Sequence, residues 1–326
     1  MCAVALRSSP RSVSRIPGAR ESASPAYIEP CDPTLRERAP GGGHWRYEIK
    51  ADGYRAQLHL QDGSAKVYSR TGLDWTEQFS SIAAAAPELN ADTAVIDGEA
   101  VVYGANGVPD FQQLRRELGR RRSARIRYHA FDLLYLNGYD LRGLAYLERK
   151  RLLQQVLKEA PEPFVYVEDL EAEGDDVFRA ACNLGLEGIV AKRADAPYRS
   201  GRQGSWIKLK CKKSDTFPIV AFVEKLGARP RKIASLYVGR REHGKLLYAG
   251  KVRTGYTEST ARELRERLEP LIRKKSPLSV AVKKPKATWV EPEVDAEVEF
   301  GTLTEDGLLR EAVFKALCVT ISKCRD

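Results

Sequence analysis

From Trp45 onward the chain alternates short apolar runs with amphipathic stretches. Arg55 to Leu60 and Lys66 to Ser69 flank Gln61-Asp62-Gly63-Ser64, whose turn chemistry predicts a β-hairpin. The pattern then predicts a helix over 76–86, a strand at 94–102, a helix at 111–119, a strand at 126–135 and a helix at 147–158. Two further strands follow at 187–193 and 205–210. The second alternates apolar residues with lysines, so Lys208 and Lys210 share a face. Beyond Lys213 the pattern gives short strands near 217–225, 233–240 and 246–252, a charged helix at 258–269 and a strand at 294–300. Short strands with one helix predict a small barrel, an OB-fold. Residues 1–46, rich in Ser, Arg, Pro and Gly, show no sustained period and read as an irregular lead-in.

A length of 326 residues implies about two domains. The expected division is a disordered basic arm at 1–24, a mixed sheet domain at 25–213 and a barrel at 214–326. With 43% hydrophobic and 30% charged residues the profile is globular, and no run approaches the roughly 18 apolar residues of a membrane span. The first twenty residues carry Arg7, Arg11, Arg15 and Arg20 without an acid, which loosely imitates an organelle transit peptide; a basic arm is the plainer reading. Six cysteines (Cys2, Cys31, Cys182, Cys211, Cys318, Cys324) without a CxxC pair, and four histidines, suggest neither a disulfide framework nor a zinc site, and are expected to be reduced thiols.

The net charge of +10 is concentrated. Residues 214–290 hold 18 basic and seven acidic side chains, a net +11, whereas 47–213 are nearly balanced. Although charge runs are often only solvated surface, such a segment is the footprint expected for a polyphosphate partner, with nucleic acid the natural candidate.

The chemistry centres on Tyr47-Glu48-Ile49-Lys50-Ala51-Asp52-Gly53-Tyr54-Arg55, a strand running into an acidic turn. A lysine attacks phosphate only when neutral, and Lys50 is expected to sit among cations, or beside a metal, that lower its pKa. Further elements follow in order. Ser69-Arg70-Thr71-Gly72 ends a strand with a cation. Asp97-Gly98-Glu99 places carboxylates where they would take a ribose hydroxyl or a metal. Phe131-Asp132 offers either a core phenylalanine or an aromatic wall for a purine. Glu187 precedes Gly188 and Lys192 on one strand, where a hard cation would use the carboxylate, and Lys208 and Lys210 would face a triphosphate.

This ordered set resembles the covalent nucleotidyltransferase superfamily, and specifically the ATP-dependent ligase domain of the bacterial end-joining ligases, over roughly residues 25 to 317. The resemblance rests on Tyr47 to Arg55, Tyr68 to Gly72, Ile96 to Val102, Ala130 to Asn137, Leu186 to Arg193 and Trp206 to Cys211, with Pro197-Tyr198 and Tyr248 to Val252 in addition. It implies an α+β adenylation domain with ATP-grasp-like antiparallel sheets and flanking helices, followed by the OB-fold. It further implies that Lys50 becomes AMP-modified and that Glu48 and Ile49 lie beside the adenine. Arg55 and Arg70 would meet ribose and phosphate, Glu99 the ribose or a metal, and Phe131 would stack on adenine. Glu187 would help hold magnesium or manganese, and Lys208 with Lys210 would grip the phosphates. ATP would be the AMP donor and nicked or broken duplex DNA the substrate. A monomer working in the bacterial cytoplasm, at the nucleoid when acting on DNA, in repair by non-homologous end joining is implied; a Ku-type partner rests on the resemblance alone.

The pattern breaks near the C-terminus. The family ends its barrel with Arg, then Asp-Lys, after a Phe-Lys-Gly-Leu stretch; here Phe314-Lys315-Ala316-Leu317-Cys318 puts a thiol where the arginine is expected, with Lys323 or Arg325 as partial substitutes. A thiol supplies neither the charge nor the bidentate geometry of a guanidinium. Impaired self-adenylation with preserved sealing of adenylated DNA is expected. A stand-alone or shortened ligase is also expected, since polymerase and nuclease domains have no room. Two alternatives stay open: an RNA ligase or capping-type nucleotidyltransferase, and a DNA-binding remnant that has lost turnover.

Overall fold

The computed structural model describes residues 13–284, 286–304 and 306–318; Lys323, Arg325 and the arm before Val13 lie outside them. The chain forms two compact units that divide between Cys211 and Lys212.

In the first unit the strands are β1 (Arg20–Glu21), β2 (Thr34–Leu35), β3 (Trp45–Lys50), β4 (Tyr54–Gln61), β5 (Ser64–Ser69) and β6 (Thr93–Val101). They continue as β7 (Arg127–Leu136), β8 (Tyr139–Asp140), β9 (Phe164–Tyr166), β10 (Asp169–Leu170), β11 (Gly188–Arg193) and β12 (Trp206–Lys210). Its helices are α1 (Ser80–Ala85), α2 (Phe111–Gly119), α3 (Tyr146–Val156) and α4 (Gly174–Asn183). One sheet runs β1-β8-β7-β6-β4-β5 with β9 beside β7; a second runs β10-β3-β11-β12-β2. Most pairings are antiparallel, which leaves each sheet one face for helices and one for a site. Leu114 of α2 and Leu152, Leu153 and Val156 of α3 pack with Leu58, Ile96 and Leu133 of the larger sheet. Val177 and Ala181 of α4 cover Tyr47, Ile189 and Leu209 of the smaller one.

The lead-in is more ordered than its composition suggests. Val13 is buried in the larger core, so residues 13–24 are not a disordered arm. β1 pairs with β8 and β2 runs parallel to β12, contrary to the irregular reading. These two-residue strands are too short to show a period; pairing partners far along the chain recruit them. Helix α4 also escapes the pattern, because only Gly174, Val177 and Ala181 are buried along its ten residues.

The cysteine expectation is corrected as well. Cys182 at the end of α4 and Cys211 after β12 form a disulfide, while Cys31 and Cys318 are free among the described residues. Spacing along the chain could not reveal this, since the pairing depends on α4 packing against the second sheet.

The second unit consists of β13 (Lys213–Glu224), β14 (Ile233–Glu242), β15 (Lys245–Val252), α5 (Glu258–Leu268), β16 (Thr288–Trp289), β17 (Asp295–Phe300) and β18 (Val313–Cys318). The order is β15-β14-β13-β17-β18, and Thr254 bridges Val313 to bring the ends together, so the sheet closes as an OB-fold barrel. Phe217, Phe222, Leu236, Val298 and Phe314 fill it, with Leu264 and Leu268 of α5 against them. Among the described residues no helix is long and apolar enough to cross a membrane.

Candidate active site

The first unit encloses a cavity of about 440 Å³ walled by both sheets. Glu48, Ile49 and Lys50 of β3 enter it from one side; Arg55 of β4, Glu99 of β6 and Phe131 of β7 enter from the other. Arg70, Lys208, Trp206 and Arg202 complete the wall. Lys50, Glu48, Ile49, Arg55, Arg70, Glu99, Phe131 and Lys208, singled out from the sequence, line the cavity, whereas Asp97, Glu187 and Lys210 do not. Glu187 and Lys210 stand beside it through Lys50: Lys50 Nζ lies 2.5 Å from Glu187 Oε2, and Lys210 Nζ 3.5 Å from Glu187 Oε1.

Glycines make these approaches possible. At Gly53 a Cβ would lie 2.2 Å from the carbonyl oxygen of Ala100, so the turn after Lys50 seats against β6 only with glycine there. Gly188 has φ +149° and a Cβ would meet the Leu209 carbonyl oxygen at 1.9 Å; glycine lets β11 start flush against β12 immediately after Glu187.

Lys50 departs from expectation. Burial disfavours its charged form, but Glu187 and Glu99 outweigh burial and raise its pKa, so without ligand it is held as an ammonium. The cations expected to lower it gather around β12, two strands away, where burial together with Lys50, Lys210 and Arg70 lowers the pKa of Lys208. Burial pushes Glu99 up to about 7, opposed by Lys50 and Arg55 and reinforced by Glu187 and Asp97. Burial and Glu187 likewise raise Asp52.

Asp97 is not available to ribose or metal. It is fully buried and accepts from Arg55 Nε at 3.0 Å, Arg55 Nη2 at 2.6 Å and Tyr198 Oη at 2.6 Å. The same bonds tie up Arg55, whose Nη1 donates to the Cys31 carbonyl at 2.6 Å. With its donors engaged, Arg55 presents its guanidinium plane to Phe131 and Trp206 at 5.4 and 5.5 Å. Arg70 is exposed and its Nη2 donates to both carboxylate oxygens of Asp32 at 2.8 and 2.9 Å, a pairing that a phosphate could replace.

Glu48 forms the hub of a buried network. Its Oε1 accepts from Tyr146 Oη at 2.6 Å and meets Lys150 Nζ at 3.1 Å, and its Oε2 meets Lys192 Nζ at 2.6 Å. Lys192 lies 4.1 Å over Trp206 and 4.5 Å over Phe131. A fully buried pair, Arg149 Nε to Asp132 Oδ1 at 2.7 Å, locks α3 to β7 behind this wall. Lys150, Arg149 and Tyr146 sit on α3, and only their burial marks them, so the chain pattern gave no sign of their role.

The second unit carries its own charge story. Arg231, Lys232, Arg240, Arg265, Arg267 and Arg273 are spent in ion pairs. The strap formed by residues 274–284 and continued at 286 differs: Lys274, Lys275, Lys283 and Lys286 are exposed and make no ion pair among the described residues. Leu278 and Val282 anchor the strap on Val220, Tyr237 and Leu246, and Lys284 lies 4.5 Å over the Tyr248 ring. Cys318 ends β18 with its thiol 3.8 Å from Thr216 Oγ1, and Lys315 is paired with Glu299 at 3.3 Å.

Comparison with known proteins agrees across both units. Residues 31–210 match the ATP dependent DNA ligase domain family and residues 229–318 match the ATP dependent DNA ligase C terminal region. The chain is 39% identical over 300 residues to the multifunctional non-homologous end joining protein LigD of Pseudomonas aeruginosa, covering 90% of this chain and 36% of the relative. It is 35% identical over 277 residues to the corresponding DNA repair protein LigD of Mycobacterium tuberculosis, covering 84% and 36%. It therefore spans about a third of the length of these relatives. Among solved structures, the ligase domain of M. tuberculosis LigD aligns with a TM-score of 0.53 at 32% identity, over 88% of this chain and 94% of that one. A mycobacterial DNA ligase D complexed with ATP and MES aligns at 0.51 and 33%, with the same coverage.

Proposed function

Because the chain belongs to the ATP-dependent DNA ligase family, we propose that Lys50 takes AMP from ATP and passes it to the 5′-phosphate of a DNA break, in end-joining repair. The carrying observation is that a half-buried lysine sits in a cavity with an aromatic wall on one side and a cationic rim on the other. Phe131, flanked by Trp206 and backed by the Arg55 plane, suits a stacked purine, with Glu48 and Ile49 at its edge. Lys208, Lys210 and Arg70 suit the phosphates.

Lys50 Nζ, once deprotonated, attacks the α-phosphorus. The bond to the bridging oxygen breaks and pyrophosphate leaves. The AMP then moves to the DNA 5′-phosphate with return of the lysine, and a 3′-hydroxyl displaces AMP to close the phosphodiester. Each step is an in-line transfer, so positioning and electrostatics carry the catalysis.

A divalent cation, magnesium or manganese, fits the carboxylates beside Lys50. Burial and repulsion by Glu187 raise both Glu99 and Asp52, a strain that a cation relieves. Among the described residues no cluster of three His, Cys, Asp or Glu side chains could hold a metal by itself. Glu187 and Glu99 would supply protein ligands, and phosphate and water the rest. When bound, the ion supplies charge that neutralises the phosphates.

The strap lysines of the second unit suit duplex phosphates, giving salt-dependent binding with little sequence preference. A monomer with a Ku-type partner, acting at breaks in the bacterial nucleoid, completes this reading.

The test is incubation with magnesium and α-labelled ATP, followed by denaturation. Label retained by the wild type and absent from Lys50→Ala supports the reading. A parallel assay on pre-adenylated nicked DNA addresses Cys318: sealing without lysine labelling would locate a defect in the first step at the altered β18 end. Failure of both would favour a DNA-binding remnant.

A further inference from the structure

One polar side chain in the cavity wall has no part in the chemistry above. His129 lies on β7 two residues before Phe131, and both line the cavity, as the alternation of a strand requires. Across the larger sheet its Cα pairs with Glu99, and Glu99 pairs with Arg55, so the three form one rung over β4, β6 and β7. Directly paired side chains on one face stand about 5 Å apart.

The imidazole is held from behind. Its Nε2 and the Tyr103 hydroxyl are 2.7 Å apart, with ring centroids separated by 5.6 Å. Tyr103 is itself pinned by its bridge to Pro109 and by Arg125 Nη2 donating to its carbonyl at 3.3 Å. Among the described residues this is the imidazole's one hydrogen bond, which leaves Nδ1 for an occupant of the cavity. With Nε2 engaged by the Tyr103 hydroxyl, the ring offers Nδ1 as a single directed donor or acceptor.

A carboxylate and an imidazole side by side match a vicinal diol. A purine ring has its aromatic wall at Phe131 and Trp206 and the phosphates their cationic rim at Lys208 and Arg70, which leaves the sugar for this rung. The rung also lies within the electrostatic reach of Lys50, whose charge is favoured by Glu99. A nucleotide spanning from Phe131 to Lys50 would thus bring its sugar past Glu99 and His129.

We propose that His129, oriented by Tyr103, hydrogen-bonds a ribose hydroxyl of the bound nucleotide beside Glu99 and selects ribonucleoside over deoxyribonucleoside triphosphates. This inference rests on the nucleotidyltransferase reading of the cavity.

Equilibrium binding of ATP, 2′-deoxyATP and 3′-deoxyATP to the full chain tests it without requiring turnover. The wild type should bind one deoxy analogue about tenfold more weakly than ATP, the loss expected for one hydrogen bond in a buried site. His129→Phe should weaken ATP by that same factor and leave that analogue unchanged, while Tyr103→Phe should lose part of the discrimination and His129→Gln should retain part of it. The inference is overturned if His129→Phe and His129→Gln both keep the wild-type ratio, or if either weakens all three nucleotides equally. Failure of the wild type to bind ATP would instead remove the parent reading.

Discussion

Lys50 Nζ stands 2.5 Å from Glu187 Oε2, a contact that stabilises the ammonium and so opposes the nucleophilic role proposed for this lysine. Glu187→Gln removes the largest of the three charges, those of Glu187, Glu99 and Asp52, that favour protonation. The free amine should then react severalfold faster with an acylating reagent at pH 9 in the absence of ATP, read by peptide mapping of Lys50. Unchanged labelling would mean that Glu187 does not control this proton.

Glu99 gives a pH signature. Its folded pKa, about 7, lies above its ordinary value of 4.5, so the folded chain binds the extra proton between those values. Its contribution to stability is complete below 4.5 and is lost as pH rises through 7. Glu99→Gln should therefore gain in urea midpoint relative to wild type at pH 8 and lose that gain at pH 4.5. A difference independent of pH would contradict it.

Glu48 neutralises two buried lysines at once. Glu48→Ala should cost about 3–5 kcal/mol, the range for stranding a buried charge. Glu48→Ala combined with Lys192→Met should recover part of this in urea unfolding. Strict additivity would argue against a coupled network.

The Cys182–Cys211 bond closes a chain segment with a sequence separation of 29. By loop closure it should contribute roughly 3–4 kcal/mol. Thermal unfolding of the wild type should shift down in a phosphine reductant, whereas Cys182→Ser should start lower and not respond.

The strap lysines should show themselves in salt dependence. Replacing Lys274, Lys275, Lys283 and Lys286 with serine should lower the slope of log affinity for nicked duplex against log salt by about 3–4, at roughly 0.9 per phosphate contact. Weaker binding with an unchanged slope would mean that these lysines do not meet phosphates.

The linear chain determined the fold class and the family. Alternation over 55–60 and 66–69, the strand at 94–102 and the short strands beyond Lys213 reflect local periodicity, and local periodicity survives without tertiary contacts. The order of Lys50, Glu99, Phe131, Glu187 and Lys208 pointed to one chemistry because nucleotidyl transfer needs those residue types. Tertiary structure alone decided their electrostatics. Whether Asp97 is free or clamped by Arg55, whether Lys50 meets cations or Glu187, and whether Cys182 meets Cys211 depend on partners 29 to 137 residues away. Burial and charge proximity are properties of the assembled sheets, so His129, Tyr103 and the lysines around Glu48 gained their meaning only when β3, β7 and α3 came together.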